Sequence, residues 1–227
     1  KVDVTGSIKF DIKVPEQTLR QGKALKELWG EGRPVLVLAS SHESEDDLIL
    51  ESYQQLLADF SDLLLVLVPR HPERFDEVAA IVLNRELHLV RRQESFDKGN
   101  LQPNSTTQVY LADTMGEMLL LLATADIAII GGSFIEHGGH NPLEACALSK
   151  AVVMGPSDYN FAAISQQLIS QGAMQQASAE QLTVCLRQLL ERPEMRADMG
   201  ANGQRVVADN QGAVGRLTEL VGQQLRR

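Results

Sequence analysis

Two cysteines are all that 227 residues contain, and Cys146 and Cys185 each stand in a segment that reads as helix. Neither belongs to a Cys-x-x-Cys pair or sits at metal spacing from a histidine, which argues against a disulfide framework and leaves buried free thiols in a reducing compartment. Basic charge is short as well. Lys and Arg number 21 against 30 Asp and Glu, a net charge of -9. The chain therefore has no general grip on nucleic acid or on an anionic membrane, and an anionic ligand must be met locally. No apolar run approaches the roughly 18 residues of a membrane span, and no signal peptide opens the chain. Without Gly-x-Gly-x-x-Gly after the first strand, and without a Walker sequence, a dinucleotide cofactor and a P-loop are disfavoured. Without a Gly-x-Ser-x-Gly elbow, so is hydrolysis through Ser133.

What the sequence does hold is core-forming material: 44% of residues are hydrophobic and 22% charged. That suits one large domain over 1–227. Residues 1–13 alternate apolar and polar and are expected to be extended, an entry strand or linker; the patterned start at Lys1 is that of a piece of something longer. A short helix is expected over 16–29. Continuous apolar runs then mark strands at 35–39, 63–68, 87–90, 109–112, 127–130 and 151–154. Helices are expected between them, one capped by Ser44 with Asp47 in the capping-box position, and another started by 113–117. A polar loop fits 95–105, and a short edge strand 173–176. From Ser178 the pattern turns to helices alone, over 179–190, 193–209 and 213–225. Six such runs alternating with helices predict a Rossmann-like α/β fold: an open, mostly parallel six-stranded sheet with helices on both faces and a helical C-terminal tail.

Such sheets bind ligands outside the carboxyl ends of their strands. Four polar clusters fall there: Ser40-Ser41-His42, Pro69-Arg70-His71-Pro72, Asp113 through Glu117, and Gly131 through Glu144. The last is the richest. Gly131-Gly132 and Gly138-Gly139 let backbone approach a ligand closely. Asn141 is a good N-cap and Pro142 a good first helical residue, so the helix start behind the loop offers free N–H groups to an anion. The same glycines also suit a tight turn with no ligand. Arg70 is placed to fork onto a phosphate or carboxylate, or to cap a neighbouring helix. Met115, Gly116 and Glu117 offer N–H groups and an acid at a helix start, while Thr114 and Glu117 are spaced as a structural capping box. Glu144 could accept ribose hydroxyls or merely complement its helix dipole. His137 and His140 bracket two glycines, but no third ligand stands at an obvious spacing, so no metal is expected.

These motifs, with Val4 through Asp11 at the start and Gly155-Pro156 and Asn160-Phe161 at the end, resemble in order the C-terminal half of the 3-deoxy-D-manno-octulosonic acid (Kdo) transferases. The resemblance covers about residues 4–162. It implies one half of a GT-B glycosyltransferase, in which two Rossmann-like domains face each other across a cleft. The C-terminal domain holds the donor substrate CMP-Kdo, without a cofactor. The N-terminal domain, absent from this chain, binds the lipid A precursor and supplies the catalytic base. No catalytic residue is then expected here, and the domain alone is expected to be inactive. Carried over by motif, Pro69 and Arg70 would contact CMP, with Met115, Gly116 and Glu117 along the nucleotide. Asn141, Pro142, Leu143 and Glu144 would hold ribose and phosphate, and Ser40, Ser41, His42, Gly131, Gly132 and Ser133 would neighbour the Kdo unit. The resemblance further implies an inverting transfer in lipopolysaccharide biosynthesis, at the cytoplasmic side of the bacterial inner membrane. One departure stands out: where that family reads Ser-Thr-His-x-Gly-Glu-Glu, this chain has Ser44 in place of the glycine. A GT-B fragment using a UDP-sugar, and a nucleotide-binding module with no catalytic partner, stay open as alternatives.

Overall fold

The computed structural model describes residues 4–97 and 103–225. At its centre lie β1 (Val35–Ser41) and β2 (Leu64–Pro69), the two longest strands. Val35, Val37, Leu64 and Val66 pack into one buried cluster, and Leu36, Leu38, Leu65 and Leu67 into another. Apolar side chains on both faces are what a parallel strand needs when crossovers cover it on both sides. At about 1.5–3 kcal/mol for each fully buried Val or Leu, this burial outweighs any local propensity.

Around this pair stand β3 (Leu89–Arg91), β4 (Val109–Leu111), β5 (Ile127–Ile130), β6 (Ala151–Met154) and β7 (Gln175–Gln176). Every pairing is parallel, in the order β3-β4-β2-β1-β5-β6-β7. The helices are α1 (Glu16–Trp29), α2 (Glu45–Leu56), α3 (Phe75–Asn84), α4 (Arg92–Asp97), α5 (Met118–Thr124), α6 (Leu143–Ala147), α7 (Ala162–Ser170), α8 (Ala179–Glu191), α9 (Pro193–Asn210) and α10 (Ala213–Leu225). Residues of α1, α5, α6 and α7 join the first cluster; those of α2, α3 and α8 join the second. The expected Rossmann-like sheet is therefore present, with the edge strand anticipated near 173–176 as its seventh member.

Three local expectations are corrected. The entry segment is not extended throughout: Ile8–Phe10 forms a turn of 3-10 helix that buries Phe10, while Val2 lies outside the described residues. The loop expected from residue 95 begins later, because α4 runs to Asp97; its start is capped from a distance by Asp113, whose Oδ1 accepts the Gln93 N–H at 2.8 Å. Gly99 and Asn100 fall outside the described residues. Ser44 is not a side-chain cap of α2. It sits at φ 72°, in the left-handed region, and makes no capping hydrogen bond.

The strand order fixes where a ligand would lie. From β1 the chain adds β2, then the edge strand β3, then β4 between β2 and β3, and crosses back to lay β5 on the other side of β1. The crevice beyond β1 and β5 is the switch point of the sheet, the usual ligand position in open parallel folds.

Candidate functional site

At the end of β1 the pairing register slips between Ala39 and Ser41, and Ser40 bulges out at φ 63°. Bulges of this kind re-aim side chains at strand ends. Gly131, at the end of β5, fits against this bulge: a Cβ there would lie 2.3 Å from the Ser40 carbonyl oxygen. No other residue type could sit so close to backbone.

One carboxylate binds the two strand exits together. Glu45, the first residue of α2 and fully buried, accepts N–H groups from His42 (3.0 Å), Gly132 (2.7 Å), Ser133 (3.0 Å) and Phe134 (3.0 Å). A buried charge is tolerable only with such full satisfaction. Asp46 beside it takes the Ser41 hydroxyl at 2.6 Å and the Arg74 guanidinium at 2.8 Å. Ser133 is equally committed, donating to the Ile130 carbonyl at 2.5 Å and accepting from the Gly155 N–H at 2.7 Å.

With the loops so fixed, four imidazoles meet. The Nε2 atoms of His42 and His140 lie 2.7 Å apart, with the rings parallel to within 4°. The His137 ring centre is 4.1 Å from that of His42, and the His71 ring 5.5 Å. Burial, then the neighbouring imidazoles, Arg70 and Arg74, push His42 down to about 4; burial, then His42, His137 and Arg70, do the same to His140. Both are thus neutral near pH 7, one donating and one accepting in their mutual hydrogen bond.

Beside this cluster lies a cavity of about 180 Å³, lined by Ser40, Arg70, Met118, His140, Asn141 and Glu144 among others. Arg70 is held at its backbone, where its N–H donates to the Ser41 carbonyl at 2.9 Å, and its side chain is exposed. The helix starts one residue later than expected: Pro142 takes the N-cap place of α6, its carbonyl accepting the Cys146 N–H, and Asn141 just before it accepts the Leu143 N–H on Oδ1 at 3.1 Å. With only five residues in α6, the attraction for an anion comes from the free N–H groups of its first turn more than from any summed dipole. Burial raises the Glu144 carboxyl above its ordinary range.

The family described as Glycosyl transferases group 1 matches residues 39–206. The chain belongs to that glycosyltransferase family. This glycosyltransferase chain is 40% identical over 229 residues to the 3-deoxy-D-manno-octulosonic acid transferase of Haemophilus influenzae, covering 100% of this chain and 52% of that protein. It is also 40% identical to the enzyme of the same description from Bordetella pertussis, over 96% of this chain and 50% of that one. It thus spans about half the length of the curated relatives it matches. Among solved structures, the C-terminal CMP-Kdo binding domain of WaaA from Acinetobacter baumannii superposes with a TM-score of 0.78 at 36% identity, covering 85% of this chain and 99% of that one. These matches place the chain in the Kdo-transferase branch of that family, as its motifs suggested.

Of the expected contacts, the fold brings Ser40, Arg70, Asn141 and Glu144 to one cavity, with His42 hydrogen-bonded to His140 at its wall and Gly131 and Gly132 packed against Ser40 and His140. Pro69, Pro142 and Leu143 are buried and do not line the cavity. Ser41 and Ser133 do not line it either, and their hydroxyls are spent on Asp46, Ile130 and Gly155. The fourth strand exit departs most. Residues 113–117 lie ahead of α5, which starts only at Met118. Glu117 is taken by the Arg92 guanidinium at 2.5 and 2.6 Å and by the Thr114 hydroxyl, and that pairing lowers its pKa. Met115 is 55% exposed, and Met118 lines the cavity where Met115 was expected. Glu45 stands in the first turn of α2, a place that by itself points only to the helix dipole. His42 is the third imidazole that sequence spacing did not reveal, and the ring nitrogens of His42, His137 and His140 lie within 4.8 Å of one another.

Proposed function

We propose that this chain is the CMP-Kdo-binding half of a Kdo transferase, and that the cavity beyond β1 and β5 holds the cytidine monophosphate moiety. The observation that carries this reading is the meeting of Arg70, Asn141 and Glu144, which are far apart in sequence, at one cavity on the switch point. The Acinetobacter relative, described as a CMP-Kdo binding domain, supports the choice of nucleotide. In this reading the Arg70 guanidinium and the N–H groups opening α6 receive the phosphate, and Glu144 accepts ribose hydroxyls. As the bond from the anomeric carbon to the phosphate breaks, charge grows on the departing phosphate; donors already aimed at it lower the barrier without reorganising. A base from outside this chain takes the proton of the acceptor hydroxyl, a group of a lipid A precursor, and direct displacement inverts the anomeric centre.

Calorimetric titration with CMP and UMP is the test. CMP is expected to bind more tightly, and Arg70→Ala to weaken it by about tenfold or more, the loss of one charge-assisted pair. Tighter binding of UMP would remove the Kdo assignment in favour of a UDP-sugar enzyme. This chain alone is expected to give no transfer from CMP-Kdo to a lipid A precursor, and addition of the remaining half of such an enzyme to restore it.

A further inference from the structure

We propose that His42 and His140, with His137 beside them, form a second anion subsite that receives the sugar carboxylate of the donor, next to the phosphate subsite at Arg70. The proposal rests on the nucleotide reading above and extends it to what distinguishes the sugar. An ulosonic acid is a 2-keto acid: when activated as a phosphodiester, its anomeric carbon carries both the ester oxygen and the carboxylate. The two anions are therefore only a few bonds apart, and a receptor for such a donor needs two adjacent places for negative charge. A donor built on a neutral aldose needs one.

The surroundings of the imidazoles suit the second place. His140 lines the same cavity as Arg70. Arg70, His71 and Arg74 face the pair from the segment after β2, and His137 from the loop after β5. The nearby acids are engaged elsewhere: Glu45 holds four backbone N–H groups, Asp46 holds Ser41 and Arg74, and Glu73 lies by His71 at 4.0 Å. Glu144, across the cavity, is disposed by burial towards its neutral form. Among the described residues, no carboxylate forms an ion pair with His42, His137 or His140. Three imidazoles are also a donor set for a divalent cation, but the exposed Arg70 guanidinium faces them while the nearby carboxylates are bonded to other groups or, at Glu144, shifted by burial towards the neutral form, which favours an anion over a cation.

The cluster is built rather than incidental. A Cβ on Gly132 would lie 3.1 and 3.2 Å from the rings of His140 and His137, at a backbone φ of 68° that disfavours side chains in any case. Glu45 fixes the backbone on both sides of the cluster at once. Burial keeps the free rings neutral, and an arriving carboxylate offsets the cost of charging one of them. The proton comes from solvent and stays on an imidazole nitrogen facing the carboxylate, and no bond of the ligand is made or broken.

Calorimetry on this chain at about pH 5.5, between the value of about 4 in the unliganded fold and the ordinary 6.5, distinguishes the subsite from the nucleotide site. The probes are CMP-Kdo and cytidine 5′-methylphosphate, both phosphodiesters, of which only the first carries a carboxylate. CMP-Kdo is expected to bind about tenfold more tightly, with buffer-dependent heat that reports proton uptake, and the preference to shrink towards pH 8. In His140→Gln and in His42→Gln, with folding checked by circular dichroism, the ratio of the two affinities is expected to fall to about one. Equal affinities in the unaltered chain, or a ratio kept in both variants, overturn the subsite while leaving the nucleotide reading intact. Binding of neither probe overturns the nucleotide reading and the subsite with it.

Discussion

Ser44 holds a left-handed backbone, φ 72°, that an L side chain adopts at a cost of roughly 1–2 kcal/mol. It occupies the place where the motif it resembles has glycine, so a conformation that favours glycine is held by serine and the strain is stored at one exposed residue. Ser44→Gly is expected to raise stability by about 1 kcal/mol, read as a higher denaturant midpoint with unchanged slope. The histidine pair leaves a different mark. Folded, His42 and His140 bind protons only near pH 4, while unfolded they bind them near 6.5. Between these values the unfolded chain holds more protons, so stability rises with pH and is lost as pH falls from about 6.5 towards 4. Thermal unfolding across that range is expected to show the loss, and His42→Gln with His140→Gln together to flatten it. Residues with a local signature, such as Asn141 ahead of Pro142, were legible in the sequence. Glu45 was not, because its partners Gly132, Ser133 and Phe134 are nearly ninety positions away and offer only backbone, which has no residue identity to read.

Among the elements, the legible ones were those whose apolar run fixed them without help. The runs of β1, β2, β5 and β6 identify themselves because both faces are buried. Where an element leans on a distant group, local pattern fails: α4 takes its cap from Asp113, and the start of α5 is delayed because Thr114 and Glu117 turn to each other and to Arg92. The tail docks by the same sort of non-local fit. Helix α9 packs on α6 and β6, and at Gly200 a Cβ would lie 2.2 Å from the Ser149 carbonyl oxygen. Gly200→Ala therefore sets two effects against each other. Helix propensity gains about 1 kcal/mol, while forcing two backbones apart in a packed interface costs typically 1–3 kcal/mol. The clash should win, because the opposing atom is backbone and cannot rotate away. A lower melting temperature for Gly200→Ala checks this, and a rise would show that α9 is free to slide.

At the scale of the whole molecule, a chain of net charge -9 sets one exposed guanidinium, Arg70, beside neutral imidazoles and loop N–H groups at a single crevice, so an anionic ligand would have to be drawn there locally, against the general field. The two ends of the described chain are also tied. The Asp11 carboxylate accepts the N–H groups of Gly212 at 2.5 Å and Val214 at 2.6 Å, and the Arg216 guanidinium donates to the Thr5 carbonyl at 2.9 Å. The entry segment and α10 thus form one unit, joined across the outside of the sheet. Those backbone N–H groups lower the Asp11 pKa. A depressed carboxylate contributes stability that is present above its unfolded value near 3.8 and is lost only as pH falls through the lower folded value, so the tie should persist in mild acid where the histidine pair has already charged. Hydrogen exchange measures the two separately. In Asp11→Asn the amides of Gly212 and Val214 and the first turn of α10 should lose protection, while the loop after β5 keeps it. At about pH 5 the order should reverse in the unaltered chain, with that loop loosening before α10. If α10 opens first in acid, Asp11 is not what holds it, and the tie must be assigned to Arg216.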